Sequence, residues 1–381
     1  MAYFDNAATT FPKPECVYQA MDLFYRQNGG NAGRGQYALA AHAGALILDT
    51  RKRLQTLLHA PTKQVIFTPS ATIALNMILQ GIIRTGAWNV YISPFEHNAV
   101  TRTLHHFESQ GMITVRQLSV RNNLEYDFER IRYQFDRDRP DLLVLSHASN
   151  VIGLIAPVKE LCVLAKNYGA VTAIDMAQTA GLIDIDLGLE VFDFAVFAGH
   201  KTLYGPTGLS GFLMKADFPL TPVLFGGTGY DSANQDMPSS LPERFEMGTV
   251  NISGIAGLNA ALRWIEETSI EAIREKEQEN RERLLGVLRE YNFLTIVGNQ
   301  HSLDYVGIVA CLMDGISSDS AGGIFEERNI AVRTGLQCAP LAHQFLGTYP
   351  AGTIRFSTSF FTNDRDFEML TESLDDIEMS I

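Results

Sequence analysis

From about residue 64 to residue 215, short β-rich apolar runs alternate with stretches whose apolar residues recur at helical spacing. The runs "QVIFT", "NVYIS", "MITVRQL", "DLLVLSH", "AVTAID", "DFAVFAG" and "GLSGFLM" predict strands. Between them, "TIALNMILQGII", "PVKELCVLAKNYG" and the segment starting at His97 predict helices. Alternation of this kind predicts a parallel sheet covered by helices. A Gly-, Pro- and Ser-rich passage over 226–254 precedes "SIEAIREKEQENRERLLGVLRE", which predicts a long exposed helix and a change of domain near residue 255. The remaining runs "LTIVG", "YVGIVACLM" and "TIRFSTS", with two helices, predict a small α+β domain. The expected division is a large domain over 14–254 and a small one built from 1–13 and 255–381, as a chain too long for one simple core requires.

In parallel α/β sheets ligands sit beyond the carboxyl ends of the strands, so polar residues there are informative. "QVIFT" is followed by Ser70, Ala71 and Thr72 at a helix start, and "NVYISPFE" by His97. "LLVLSHAS" ends at Asn150, "AVTAID" at Asp175 with Gln178 close behind, and "DFAVFAG" at His200 and Lys201. Singly, these residues read as helix caps, a turn residue and a backbone-bonded carboxylate. Together they deliver polar groups from five strands to one rim. A lysine leaving a buried strand is held against an apolar wall, and desolvation lowers its pKa toward that of a usable nucleophile or base.

Composition narrows the partners. The 381 residues are 46% hydrophobic and 19% charged, without a low-complexity tract, which excludes a disordered chain. A formal charge of -13 repels both a phosphate backbone and an anionic membrane, so neither nucleic acid nor a membrane is an expected partner. "MAYFDNAATT" has no basic then apolar leader, and no apolar run is long enough to span a bilayer, so a soluble cytoplasmic protein is expected. Cys16, Cys162, Cys311 and Cys338 are scattered without CxxC pairing and predict free thiols rather than disulfides or a metal site.

Pyridoxal 5'-phosphate asks for this constellation. It needs an amine for its aldehyde, a carboxylate for its pyridine nitrogen and a helix N-terminus for its phosphate. Lys201, Asp175 and the Ser70–Ala71–Thr72 turn match those demands, whereas no GxGxxG follows the first strand to favour a nicotinamide cofactor. His97 is placed to lie on the ring, Gln178 to donate to the phenolic oxygen and His200 to reach the phosphate.

The chain resembles the class V aminotransferases of fold type I, and within them the cysteine desulfurase and selenocysteine lyase family, over essentially its whole length. The motifs that carry the resemblance are "YFDNAATT" at 3–10, "EHNAVTR" at 96–102, "SHASNVIG" at 146–153, "AIDMAQTAG" at 173–181, "GHKTLYGPTG" at 199–208, "FEMGTVN" at 245–251, "AVRTGLQCAPLAH" at 331–343 and "TIRFS" at 353–357. The resemblance implies an α/β fold with a mostly parallel seven-stranded sheet and a small C-terminal domain. It implies Lys201 as the Schiff-base lysine, Asp175 as the partner of the ring nitrogen, His97 as the stacking imidazole and Gln178 beside the phenolic oxygen. Thr72 and His200 would bind phosphate, with Thr249 supplied by the neighbouring subunit of a homodimer. Asn150 and Arg355 would hold the substrate α-carboxylate.

Cys338 selects the reaction. In the resembled family a cysteine here takes sulfur from L-cysteine as a persulfide and leaves L-alanine, for onward delivery to a sulfur-acceptor protein. L-selenocysteine is the alternative substrate. Arg333 and His343 are candidates to favour its thiolate. Where the family carries glycine and threonine in the phosphate turn this chain has Ser70 and Ala71, and Ala198 replaces a serine before Gly-His-Lys. Leu336 and Gln337 stand where many desulfurases carry histidines, which removes one possible acid for the transferred sulfur. Two other enzyme readings stay open at this point: an aminotransferase, or a β-lyase acting on another small amino acid, with Cys338 incidental. A non-catalytic sulfur carrier is disfavoured, because a binding protein has no use for Lys201 and Asp175 as an electron-sink pair.

Overall fold

A computed structural model describes every residue except 29, 31, 33–36, 231–232 and 381. The chain opens with β1 (Ala2–Tyr3), α1 (Glu15–Gln27) and α2 (Ala38–Leu57). It continues through β2 (Lys63–Thr68), α3 (Ala71–Ile83), β3 (Asn89–Ile92), α4 (Asn98–Ser109), β4 (Thr114–Gln117), α5 (Phe128–Arg137) and β5 (Leu142–Ser146). Next come α6 (Val158–Asn167), β6 (Val171–Asp175), β7 (Phe194–Ala198), β8 (Ser210–Lys215), α7 (Ile252–Thr268) and α8 (Ile270–Arg289). The last part is β9 (Leu294–Val297), β10 (Ile308–Met313), α9 (Ser318–Glu327), β11 (Ile330–Ala331), β12 (Arg333–Gly335), α10 (Pro340–Leu346), β13 (Thr353–Ser357) and α11 (Asp364–Glu378).

The large sheet has seven strands in the order β2-β8-β7-β6-β5-β3-β4. All its pairs are parallel except those of β8, which runs against both β2 and β7. The central strands β5 and β7 are buried at every residue, as continuous apolar runs covered on both faces must be. β4, "TVRQ", is the half-exposed edge, and its short length and arginine keep that edge from recruiting another strand. One apolar core lies on each face of the sheet.

A smaller antiparallel sheet, β12-β13-β10-β9, carries a third core against α8, α9 and α11. The chain's first strand joins this body: β1 pairs in parallel with β11. One expectation needs correction. α8 is charged along much of its length yet not simply exposed, because Ile273, Leu284, Leu285 and Leu288 form a buried stripe that also carries Glu277, Asn280 and Arg281. The predicted change of domain near residue 255 falls inside α7, whose Ile255, Leu258, Ala261, Leu262 and Ile265 belong to the core under the large sheet. The chain turns toward the small sheet at Ser269, whose φ of 74° ends α7 and whose hydroxyl caps α8. No helix among the described residues is long and apolar enough to cross a membrane.

Candidate active site

The rim at the carboxyl ends of the large sheet encloses a cavity of about 190 Å³. Nine of the residues singled out from sequence line it: Ser70, Ala71, Thr72, His97, Asn150, Asp175, Gln178, His200 and Lys201. Strand register explains the convergence, since Ser146, Asp175 and Val196 sit side by side across β5, β6 and β7.

Lys201 follows β7 in a turn that returns the chain as β8. Gly199 and Gly205 are there because backbone crosses backbone: a Cβ on Gly199 would lie 2.5 Å from the Leu209 carbonyl oxygen, and one on Gly205 2.8 Å from that of Gly199. The N-terminal "DNAATT" laces this turn to the small sheet. Thr10 donates its N–H to the His200 carbonyl at 3.1 Å and its hydroxyl to that of Lys201 at 2.7 Å. On the other side Asn6 donates to the Ser357 carbonyl at 2.9 Å, and the Ala7 N–H donates to the Ser357 hydroxyl at 2.8 Å. That motif was legible as a family signature, but its clasping role was not.

Burial pushes the Lys201 amine down to about 8, with Asp175 acting in the opposite direction. Asp175 is itself raised by burial, against the effects of the Ala177 N–H, 2.9 Å from Oδ1, and of Lys201. Each charge is costly alone and each moderates the other. His97 caps α4, its Nδ1 accepting the Ala99 N–H at 3.0 Å. Nε2 therefore carries the ring proton, and burial with the cations Lys201, Arg333 and Arg102 pushes the imidazole down to about 4, so it is neutral at pH 7. Capping α4 is compatible with the place of His97 on the cavity wall.

Ser70 spends its hydroxyl on the cap of α3, accepting the Ile73 N–H at 3.3 Å. Ala71 and Thr72 open that helix against the cavity, where its first N–H groups lack intrahelical acceptors. His200 Nδ1 is buried without a hydrogen-bond partner, and its ring is pushed down to about 4 by burial and by Lys201 and Lys13. An orphaned ring nitrogen beside a helix N-terminus, a buried lysine and a buried carboxylate are what pyridoxal phosphate would satisfy, so the residues present fit that cofactor.

Of the expected residues, Arg355 and Thr249 lie outside this cavity, and Asn150 and Gln178 line it with their amides already bonded. Arg355 is 2% exposed on β13 and does not line the cavity. Its Nη2 pairs with Asp5 Oδ1 at 2.7 Å and its Nη1 donates to the Asn150 carbonyl at 2.9 Å, while Nε is buried and unpartnered. The Asn150 side-chain amide donates to the Gln337 carbonyl at 2.6 Å, and the Gln178 amide to that of Ala7 at 3.0 Å. Thr249 is exposed and lines a separate groove with Phe67, Phe245 and Met247.

Cys338 opens onto a second cavity that shares His97, Thr72 and Ala99 with the first, which puts the thiol across His97 from the lysine cavity. Gln337 and Cys338 have φ of 40° and 59°, a left-handed pair that turns the loop sharply before α10. Arg333 Nη2 is 3.6 Å from Sγ. His343, the other proposed thiolate partner, is turned away: Nε2 meets Gln337 Oε1 at 2.8 Å and Nδ1 meets Thr348 Oγ1 at 2.7 Å. Its ring is committed because Gln337 uses it, with the Thr353 carbonyl, to hold the loop.

Sequence reasoning missed Glu96. It is fully buried beneath His97 and accepts the Ser93 hydroxyl at 2.6 Å, the Ser146 N–H at 2.9 Å and the Ser146 hydroxyl at 2.8 Å. It thereby ties the end of β3 to the end of β5, and burial pushes its carboxyl up to about 7. A glutamate directly preceding the candidate ring histidine in "PFEHN" was the available signal.

A sequence model of the family described as aminotransferase class-V matches residues 2–370. Among curated relatives, a probable cysteine desulfurase of Xylella fastidiosa is 29% identical, over 98% of this chain and 90% of its own. A cysteine desulfurase of Shigella flexneri is 30% identical, over 98% of this chain and 92% of its own. Among solved structures, the apo cysteine desulfurase of Thermococcus onnurineus superposes with a TM-score of 0.91 at 26% identity, covering 100% of this chain and 95% of that one.

Proposed function

The chain belongs to the class-V aminotransferase family, and from that premise we propose that it is a pyridoxal-phosphate-dependent cysteine desulfurase. The observation that carries this reading is the pairing of two adjoining cavities, one holding Lys201 and Asp175, the other Cys338, with His97 as their shared wall. When bound, the cofactor supplies an aldehyde for the Lys201 amine and an electron sink for charge developing at the substrate Cα. Asp175 would hold its ring nitrogen, and Thr72, the start of α3 and His200 its phosphate.

The remaining chemistry belongs to the chain's own groups. Lys201 Nζ takes and returns the Cα proton, a task suited to an amine whose pKa burial has brought to about 8. Neutral His97 presents a ring face without adding a charge to the site. Cys338 Sγ bonds the substrate sulfur as the substrate C–S bond breaks, so that L-cysteine and the enzyme thiol become L-alanine and a Cys338 persulfide, with no outside oxidant. Arg333, 3.6 Å away, offsets negative charge on Sγ.

For the substrate carboxylate, Arg355 retains three of its five N–H donors after Asp5 and Asn150 have each taken one. Incubation with L-cysteine should yield alanine and sulfide in the presence of reductant. Pyruvate with sulfide would reassign the chain as a β-lyase, and absence of both products would remove cysteine as the substrate.

The functional unit in this reading is a homodimer. Its support is Thr249, exposed and outside its own chain's cofactor cavity, in the "FEMGTVN" segment. Sedimentation of the cofactor-loaded protein at micromolar concentration should give a dimer, and a loaded, active monomer would remove the shared site.

A further inference from the structure

Beside Cys338, on the side away from Lys201, lies a groove of about 700 Å³ that the reaction above does not use. Arg102 of α4 and Arg333 of β12 face it, and neither has a carboxylate partner among the described residues. The chain carries a formal charge of -13, so two guanidiniums without carboxylate partners on the groove that holds this thiol stand out locally. Glu108, the one acidic side chain on the lining among the described residues, is bonded by the Val115 N–H at 2.9 Å. Leu336, Pro340 and Leu341 supply an apolar floor. Leu336 stands where many members of the resembled family carry a histidine, so the loop contributes hydrocarbon surface here in place of an imidazole.

We propose that this groove binds a small thiol bearing a carboxylate, which receives the sulfur held by Cys338. The inference rests on the desulfurase reading. The volume falls in the range of small-molecule sites, roughly 300–1,000 Å³. The carboxylate would lie between Arg102 and Arg333, its carbon chain on Leu336 and Leu341, and its sulfur toward Sγ. In the transfer, the acceptor thiolate bonds the outer sulfur of the Cys338 persulfide and the bond between that sulfur and Sγ breaks. The electron pair stays on Sγ and the outer sulfur keeps its proton. The products are the acceptor persulfide and the Cys338 thiolate, and the sulfur is transferred without net oxidation.

Two measurements test this. In the first, the full-length protein is alkylated with iodoacetate or iodoacetamide, and the peptides of Cys338 and of exposed Cys16 are compared by mass spectrometry. The anionic-to-neutral rate ratio should be roughly tenfold higher at Cys338 at low salt, collapse in high salt and fall in R102Q, whose substituted side chain is exposed. Equal ratios at the two cysteines would overturn the site. In the second, protein preloaded with cysteine is given 3-mercaptopropionate or 2-mercaptoethanol at matched thiolate concentration. Sulfur should pass to the carboxylate thiol about tenfold faster, and equal rates would overturn its role as acceptor. If alkylation is charge-selective but cysteine never loads sulfur on Cys338, the acceptor role falls with the desulfurase reading and not through the groove.

Discussion

Lys201→Ala is expected to lower turnover of L-cysteine by about 10⁴-fold, the upper end for removal of a general base, and to abolish the bond to pyridoxal phosphate that borohydride fixes to the chain. Lys201 lines the cavity, is buried, and has Asp175 as its principal charged neighbour. Burial lowers the folded-state pKa to about 8 from 10.5, so the amine is neutral above pH 8 and increasingly protonated below it. Only the neutral amine condenses with an aldehyde. The rate at which cofactor-free protein captures pyridoxal phosphate should therefore rise with pH and level off above about 8. The alanine variant should bind the cofactor without covalent capture at any pH. Retention of a borohydride-fixed cofactor by Lys201→Ala would disprove the assignment.

Cys338→Ser should reduce alanine formation from cysteine by roughly 10³-fold, as expected for a nucleophile that works as part of a unit, while cofactor binding stays unchanged. The substitution keeps size and backbone preference, which matters where Gln337 and Cys338 occupy consecutive left-handed conformations. It replaces a polarizable sulfur 3.6 Å from Arg333 with a hydroxyl that stays protonated and attacks sulfur poorly. In the parent protein, mass spectrometry after incubation with cysteine should find one added sulfur on the Cys338 peptide. Cys162 and Cys311 should carry none, because burial pushes both thiols up to about 12 and leaves them inert. Full alanine and sulfide production by the serine variant would return the chain to the lyase or aminotransferase reading.

Much of the rim was readable because a parallel sheet writes its ligand site into local sequence. Each strand is a buried apolar run, and the polar residue that ends it is displayed at the same edge as its neighbours. Lys201 after "DFAVFAG" and Asp175 after "AVTAI" needed no contact information to be found. Glu96 was passed over because its three donors come from Ser93, three residues away, and Ser146, fifty residues away, and only the β3–β5 pairing brings them together. The charged face of α8 hid its apolar stripe for a related reason: Ile273, Leu284 and Leu288 are sparse along the sequence and form a surface only when the helix winds them to one side.

The amino-acid sequence by itself determined the alternation of strands and helices, the glycine turn that presents Lys201 and the helix start at Ser70, since each depends on neighbours within a few residues. Tertiary structure decided which donors remain available. Arg355 reads as a free carboxylate clamp until Asp5, 350 residues earlier, takes one of its N–H groups. Asn150 reads likewise until its amide is given to the Gln337 carbonyl, and His343 reads as a partner of Cys338 until Gln337 and Thr348 claim its ring. Residue type specifies how many hydrogen bonds a side chain can make. Which partner receives each one follows from distances set when the small sheet docks on the large one, and no local pattern encodes those distances.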